Sequence, residues 1–185
     1  MIIGFAGRIG HGKDTAARRL IEQGYAHINF AATLKEEVLM RLPRTVSAIL
    51  LLNRWPLPND SHQRRHAVYH EKPLGIRELL QEYGTEVRRA DDPDYWMKRW
   101  IEAVRIHGGP VVVTDMRFPN EARAVREADG ITIRIERPGY PAFDDHITET
   151  ALADWRFDAV IQNDGSQTDL WDRVDEVLAK YSTNS

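Results

Sequence analysis

A glycine-rich segment near the N-terminus has the residue types and spacing to hold phosphate groups. It spans Gly7–Thr15 and reads GRIGHGKDT. Glycines allow a tight turn that brings successive backbone N–H groups onto an anion, and the N-terminus of a following helix adds more. Lys13 would place a positive charge against the β- and γ-phosphates of a nucleotide, where charge must be held during transfer. The alternative is an ordinary strand–helix turn whose lysine is merely exposed.

A second group of polar residues follows a continuous run of valines. The run Val111–Val113 and Thr114 predicts a strand buried on both faces, and Asp115 comes directly after it. Because ligands in open α/β sheets bind beyond the carboxyl ends of strands, Asp115 could hold Mg²⁺ through water or accept a bond from a substrate. Arg117 offers a planar fork suited to a phosphate. The alternative for Asp115 is a helix N-cap.

The elements needed to position these residues alternate along the chain. Short apolar runs predict strands at 1–6, 25–30, 111–114, 131–136 and 157–162. Between them, helical spacing predicts helices at 13–23, 33–42, 46–55, 75–89, 93–107, 120–128, 148–153 and 168–181. Thr33 is the expected cap of the second helix, since Glu36 lies three residues on. This alternation predicts an α/β fold with a parallel sheet.

The match of the glycine-rich segment to the usual P-loop pattern is imperfect. Asp14 stands where the pattern has Ser or Thr, and Thr15 follows one residue later. This form resembles the loop of nucleoside monophosphate kinases, and its Gly-Lys-Asp version is similar to that of phage deoxynucleoside monophosphate kinases and animal-type phosphomevalonate kinases.

Further segments carry the resemblance to phage-type deoxynucleoside monophosphate kinases through most of the chain. The segment 114–122, TDMRFPNEA, looks like that family's D-x-R-F-x-N-E-A. Similar matches, in order, are FAATLK at 30–35, LLQEYGTE at 79–86, RPG at 137–139, HITE at 146–149, and QNDG at 162–165. In the HITE segment Thr148 replaces the family's serine. Together these matches span most of the chain, except about 41–72.

The resemblance implies a three-layer P-loop kinase fold and a division of labour among the residues. ATP phosphates would lie on Gly7, Gly10, His11, Gly12, Lys13, Asp14 and Thr15. The acceptor would contact Lys35, Gly84, Thr85, Arg88, Trp96, Asp115, Arg117 and Glu121. Lys13, Arg117 and Arg137 would be the catalytic residues, and Thr15 and Asp115 would hold Mg²⁺, directly or through water. The expected organisation is one domain over 1–185, with an inserted helical lobe at about 43–107 and a lid loop at about 137–148.

Composition narrows the partners and the compartment. The 185 residues include no cysteine, which excludes a disulfide framework and a thiolate metal site. The net charge of −3 gives no indication of a general nucleic-acid-binding surface, and no window reaches the length of a membrane span. We therefore expect ATP and a deoxynucleoside monophosphate as partners, with no nucleic acid or membrane. A monomer or homodimer is expected, in a cytoplasm that would be bacterial for a phage enzyme.

Several alternatives remain open at the level of sequence. Arg88 and Arg89, before an acidic cluster, suit either a solvated ion-pair patch or a clamp on the acceptor phosphate. Arg64 and Arg65 lie among His62, His66 and His70, which favours ordinary exposed polar residues over a metal site. Trp96 suits either packing in the protein core or stacking on the base of a nucleotide. For the whole chain, the alternatives are another small-metabolite kinase, acting on phosphomevalonate or dephospho-coenzyme A, and a nucleotide-binding module without turnover.

Overall fold

The computed structural model describes residues 1–53, 61–84, 92–140 and 151–182. Its helices are α1 (Lys13–Glu22), α2 (Phe30–Arg41), α3 (Pro43–Leu52), α4 (Ser61–His66), α5 (Leu74–Glu82), α6 (Tyr95–His107), α7 (Pro119–Glu127) and α8 (Gln167–Ser182). A π-helical segment, Ala67–Glu71, follows α4 directly. The strands are β1 (Ile2–Ala6), β2 (Ala26–His27), β3 (Val111–Val113), β4 (Gly130–Glu136) and β5 (Ala159–Gln162).

The strands form one parallel sheet of five strands in the order β2-β3-β1-β4-β5. Every residue of β1 and β3 is buried, because helices cover both faces of a parallel sheet and exclude water from its centre. The two strands are in register through Ile2 and Val111. The functional loops therefore begin at the carboxyl ends of the best-buried strands.

Helices on the two faces of the sheet make three layers. On one face α1 and α8 bury Ile3, Phe5 and Ile133 in a shared apolar core. On the other face α7 packs against β1 and β4 so closely that a side chain at Gly4 would press on Val125, at 3.2 Å. The predicted three-layer parallel fold is confirmed.

The chain divides into two compact units. Unit 1 comprises Met1–Phe30 and Trp100–Ser185, and unit 2 comprises the intervening segment Ala31–Arg99. Unit 1 contains the sheet. Unit 2 is helical in the residues described, and its buried apolar residues include Val46, Leu50 and Ile76. The boundaries of unit 2 differ from the predicted lobe at about 43–107, because α2 and α6 each cross from one unit to the other.

Two local predictions are wrong. The strand expected at 25–30 is only Ala26–His27 long, and α2 begins at Phe30. Thr33 therefore lies inside α2 and does not cap it. The start of α2 is instead fixed from outside the segment, since the backbone N–H of Phe30 donates to Asp115 Oδ1 at 3.0 Å. The helix expected to begin at 148 stays a prediction, because 148–150 lie outside the described residues, and residues 151–153 form a turn.

Among the residues described, no helix is both long enough and apolar enough to cross a membrane.

Candidate active site

The loop between β1 and α1 requires glycine at its turning points. Gly7, Gly10 and Gly12 have φ values of 143°, 81° and 100°. A Cβ at Gly7 would lie 2.4 Å from the carbonyl oxygen of Ile135, and one at Gly12 would lie 2.6 Å from Asn163 Nδ2. Both contacted groups form hydrogen bonds with the loop. A side chain at Gly7 or Gly12 could therefore be accommodated only if the loop or these groups moved. The glycines predicted from sequence thus have a steric reason in the fold.

Lys13 begins α1 and turns back over the loop. Its Nζ donates to the carbonyl oxygens of Gly7 and Arg8, at 2.6 and 2.9 Å. The residue before it, Gly12, supplies no side-chain cap to the helix N-terminus. The ammonium group is therefore held over the loop that leads into the N-terminus of α1, an arrangement suited to an anion.

His11 ties the loop to the end of β4, the strand next to β1 in the sheet. Its Nδ1 lies 3.2 Å from the carbonyl oxygen of Ile135 and 3.3 Å from the backbone nitrogen of Arg137. It donates to the first or accepts from the second, depending on its tautomer. Asn163 Nδ2 also donates to the His11 carbonyl oxygen at 2.9 Å. The structure therefore gives the His11 side chain an anchoring role, while its predicted contact with ATP stays a prediction.

Asp14 and Thr15 lie in the first turn of α1. The Asp14 side chain is exposed, and Thr15 is half-buried. The carbonyl oxygen of Thr15 accepts a hydrogen bond from the indole of Trp171 on α8, at 2.8 Å. This bond links the first turn of α1 to α8.

Asp115 lies just past the carboxyl end of β3, as predicted. Its Oδ1 accepts the Phe30 N–H at the start of α2. The residue before it, Thr114, is held on both sides: its N–H donates to Asn29 Oδ1 at 2.9 Å, and its Oγ1 lies 3.0 Å from His27 Nε2. Asp115 thus caps a helix, though α2 and not the helix that follows it.

Glu121 is 6% exposed and serves its own helix. Its Oε2 accepts the backbone N–H groups of Arg117 and Phe118, at 2.7 and 3.0 Å, which caps the start of α7. These capping bonds explain why the glutamate follows the arginine by four positions without any contact with a substrate. The predicted contact of Glu121 with an acceptor stays a prediction.

The side chain of Arg117 is exposed and lines a small cleft with two further arginines. These are Arg8, in the glycine-rich loop, and Arg134, on β4. Arg134 also pairs with Glu136 at 3.1 Å. Sequence reasoning missed Arg8 and Arg134. The sequence does single out both positions, since Arg8 lies inside the glycine-rich segment and Arg134 is a charged residue within an apolar strand.

Arg137 follows β4 and is exposed. Its guanidinium carbon lies 5.1 Å from the centre of the Tyr140 ring, within the range of a cation–π contact. The Tyr140 ring in turn meets His11 edge-on, with centroids 6.2 Å apart. The predicted lid loop at about 137–148 is described only to residue 140.

Unit 2 holds the remaining predicted acceptor residues. Trp96 is 4% exposed, and its indole N–H donates to the carbonyl oxygen of Gly84 at 2.8 Å. It packs edge-on against Tyr95, with ring centroids 4.9 Å apart. This burial favours packing over base stacking for Trp96. Lys35 lies over the ring of Tyr69. The predicted residues Thr85 and Arg88, with Arg89, lie outside the described residues.

Sequence reasoning also missed a buried carboxylate in unit 2. Glu37 is 2% exposed and accepts hydrogen bonds from the hydroxyl groups of Tyr83 and Tyr95, at 2.9 and 2.6 Å. Arg41, one turn along α2, pairs with it at 3.2 Å. A usable signal existed: Glu37 follows Phe30 by seven positions, which is the spacing of one helix face.

The residues described contain no group of three or more His, Asp or Glu side chains arranged to hold a metal ion. The rings of His66 and His70 are neighbours, with centroids 5.0 Å apart. Arg65 is used in an ion pair with Glu36.

The sheet and its glycine-rich loop define the class of protein, a P-loop kinase fold. A solved structure with this fold, dephospho-CoA kinase from Campylobacter jejuni, superposes with a TM-score of 0.52 at 14% identity, covering 97% of this chain and 96% of that one. A family model described as deoxynucleotide monophosphate kinase matches residues 57–174. The chain belongs to the deoxynucleotide monophosphate kinase family.

Individual relatives agree with that assignment. The deoxynucleotide monophosphate kinase of Escherichia phage RB69 is 33% identical over 108 residues, which are 56% of this chain and 44% of the relative. That of Enterobacteria phage T4 is 31% identical over 113 residues, 58% of this chain and 47% of the relative. A protein of Acanthamoeba polyphaga mimivirus is 27% identical over 190 residues, 94% of each. The matched part is therefore less than half the length of the two phage relatives.

Proposed function

We propose that this protein transfers the γ-phosphoryl group of ATP to a deoxynucleoside monophosphate, giving ADP and a deoxynucleoside diphosphate. The observation that carries the proposal is the loop Gly7–Thr15, with its left-handed glycines and with Lys13 folded over it, in a chain of this family. A nucleotide substrate agrees with the names of the two phage relatives.

The donor side is built from the loop. Backbone N–H groups between Gly7 and Thr15 would bind the phosphates, and the positive end of α1 favours their charge. Lys13 would exchange its bonds to the loop carbonyls for phosphate oxygens and hold the charge that develops on the leaving ADP. The anchoring of His11 by Asn163 keeps the loop in shape, so little reorganisation accompanies binding.

Magnesium fits the donor set of unit 1. The Thr15 hydroxyl and the Asp115 carboxylate are hard oxygen ligands of the kind that Mg²⁺ prefers, and the ion commonly keeps several waters and binds the substrate phosphates. We propose that these two residues hold it, directly or through water. When bound, the ion would neutralise charge on the β- and γ-phosphates.

The acceptor side rests on arginine, lysine and polar groups. Arg117 would grip the acceptor phosphate with its planar fork, and Lys35 would add a second charge. Gly84, Thr85, Arg88 and Trp96 would complete the acceptor site, with Asp115 and Glu121. Within this set, the burial of Trp96 and the capping bonds of Glu121 support a positioning role for those two.

Phosphoryl transfer needs mainly alignment and charge stabilisation. The acceptor phosphate oxygen must lie in line with the bond to the leaving ADP, which is achieved by holding both substrates. Arg137 would bind the transferring group, and its contact with Tyr140 limits the directions in which its side chain can reach. Exclusion of water would prevent loss of the phosphoryl group to hydrolysis.

A coupled ADP-release assay tests the proposal. The panel is dAMP, dGMP, dCMP, dTMP and 5-hydroxymethyl-dCMP, with phosphomevalonate and dephospho-coenzyme A as controls. We expect ADP release with one or more deoxynucleotides, dependent on both Mg²⁺ and the acceptor. Turnover of a control compound with none of the deoxynucleotides would reject the substrate, and ATP binding without turnover of any acceptor would reject the kinase.

A further inference from the structure

Tyr69 lies in the irregular part of unit 2 that the sequence could not assign. It is the middle residue of the π-helical segment Ala67–Glu71, whose wider turn is closed by the bond from Lys72 N to Ala67 O, at 2.8 Å. Ala67 and Val68 are fully buried and anchor this segment. π-Helical turns in proteins occur frequently at functional sites, because they redirect one side chain without breaking the helix.

The Tyr69 ring contacts two cationic side chains. Lys35 Nζ lies 4.8 Å from the ring centre, and the guanidinium carbon of Arg65 lies 5.5 Å from it. Both distances fall within the range of cation–π attraction. Lys35 comes from α2 and Arg65 from α4, so one aromatic ring joins two helices of unit 2.

Glu36 fixes the ring and the arginine together. The Tyr69 hydroxyl donates to Glu36 Oε1 at 2.5 Å, and Arg65 makes a two-pronged ion pair with both oxygens of the same carboxylate. Burial, followed by the hydrogen bond to Glu36, raises the pKa of Tyr69. The hydroxyl therefore stays protonated and donating through the neutral range. The negative charge of Glu36 is engaged by Arg65 and Tyr69.

An aromatic face can orient an ammonium group before that group binds an anion. An aromatic ring attracts the cation through its quadrupole and does not neutralise its charge. Contact with the ring also restricts the flexible four-carbon stem, and this lowers the entropy lost when the lysine binds an anion.

We propose that Tyr69 is a positioning residue, which holds the Lys35 ammonium ready for the phosphate group of the acceptor nucleotide. Glu36 and Arg65 hold Tyr69 in turn. The inference rests on the proposed function, because Lys35 as an acceptor ligand belongs to it. The proposal also assigns a role to Arg65, which is to hold Tyr69 together with Glu36.

Two substitutions at Tyr69 separate the ring from its hydroxyl group. Tyr69→Leu removes the aromatic face, and we expect the KM for the best deoxynucleoside monophosphate of the panel to rise about 3- to 10-fold, with the KM for ATP unchanged. Tyr69→Phe keeps the aromatic face, so its KM for the deoxynucleoside monophosphate should stay close to that of the wild type. Tyr25→Leu, which removes a half-buried tyrosine from unit 1, serves as the matched control and should leave the acceptor KM unchanged.

A double-variant cycle with Lys35→Met tests whether Tyr69 acts through Lys35. We expect Lys35→Met alone to raise the acceptor KM, and Tyr69→Leu to add nothing further in that background. Additive effects would mean that Tyr69 acts independently of Lys35, which overturns the positioning role. An equal rise with Tyr69→Phe and Tyr69→Leu would overturn the role of the ring.

A spectroscopic measurement keeps this test separate from activity. In protein carrying ¹³C-methylated lysines, the Lys35 signal, assigned by its loss in Lys35→Met, should show an upfield ring-current shift in wild type and Tyr69→Phe but not in Tyr69→Leu. Absence of the shift in wild type would overturn the contact itself. A wild-type protein inactive with all deoxynucleotides would overturn the proposed function, and the acceptor assignment with it, even if the shift is observed.

Discussion

At the residue scale, the glycines of the loop make one tight turn, and Lys13 starts α1 and folds back over that turn. Because these residues belong to one short segment, their spacing alone predicts them. The contacts of Glu37 with Tyr83 and Tyr95, and of Tyr69 with Lys35, join segments distant in the chain, so local spacing does not predict them. For Asp115 and Glu121, the sequence pointed to a ligand, whereas the structure shows each also capping a helix.

Lys13 provides a prediction at the residue scale. Lys13→Ala should lower kcat by about 100-fold or more, because a charge aimed at the developing negative charge is lost. The fold should survive, since the ammonium donates to carbonyl oxygens of the loop and lies outside the apolar core. Steady-state kinetics and thermal unfolding measure the two effects, with Lys180→Ala on the exposed face of α8 as control. A folded Lys13→Ala variant with wild-type turnover would remove the catalytic role of the loop.

Arg117 provides a second prediction at this scale. Arg117→Lys keeps the charge but loses the planar fork, so the KM for the deoxynucleoside monophosphate should rise about tenfold with the KM for ATP unchanged. Arg123→Lys, at an exposed position on α7, is the matched control. Equal changes in both KM values, or in neither, would indicate that Arg117 does not bind the acceptor.

At the scale of elements, long periodic segments were predicted well and short ones poorly. α1, α3, α6 and α8 carry their own apolar faces, and their bounds fall close to the predicted ones. β2 is short because Asn29 bonds the backbone of Thr114 and Phe30 already begins α2. Its length depends on partners some 85 positions away, which local patterns cannot contain.

The start of α7 gives a prediction for a single element. Glu121→Ala should lower the free energy of unfolding by about 1–2 kcal/mol, because the N–H groups of Arg117 and Phe118 lose their acceptor. Chemical denaturation measures the change. Glu121→Gln keeps a carbonyl oxygen and should lose less stability. A large rise in acceptor KM with unchanged stability would show instead that Glu121 binds substrate and contributes little as a cap.

At the scale of the whole molecule, the alternation of strands and helices was enough to predict the three-layer parallel fold. Strand order was not predicted, because it depends on crossovers that periodicity does not encode. The division into two units follows α2 and α6, which each continue across a boundary without a break in helical pattern. For that reason no composition change marks the edges of the insertion at Ala31 and Arg99.

The pH dependence of the free energy of unfolding can be predicted from Asp158 in unit 1. Burial opposes ionisation of Asp158, but its hydrogen bonds from Thr132 and Arg126 prevail and lower its pKa. A lowered folded-state pKa means that the stabilisation is complete above the unfolded value of about 3.9 and is lost as the pH falls through the folded value.

Asp158→Asn should therefore destabilise the protein at pH 6, and the difference from wild type should shrink as the pH falls to 3. Denaturant unfolding at both pH values measures it, with Asp154→Asn at an exposed position as control. A difference that stays constant or grows toward pH 3 would contradict the ionised hydrogen-bonded state of Asp158.

The most direct test of the account is to follow the phosphoryl group itself. With γ-³²P-labelled ATP, Mg²⁺ and each deoxynucleoside monophosphate in turn, the products are separated by chromatography. The account predicts label in a deoxynucleoside diphosphate for at least one acceptor, and none above background with Lys13→Ala. Label found only in inorganic phosphate, or in no deoxynucleotide product while ATP is bound, would contradict it.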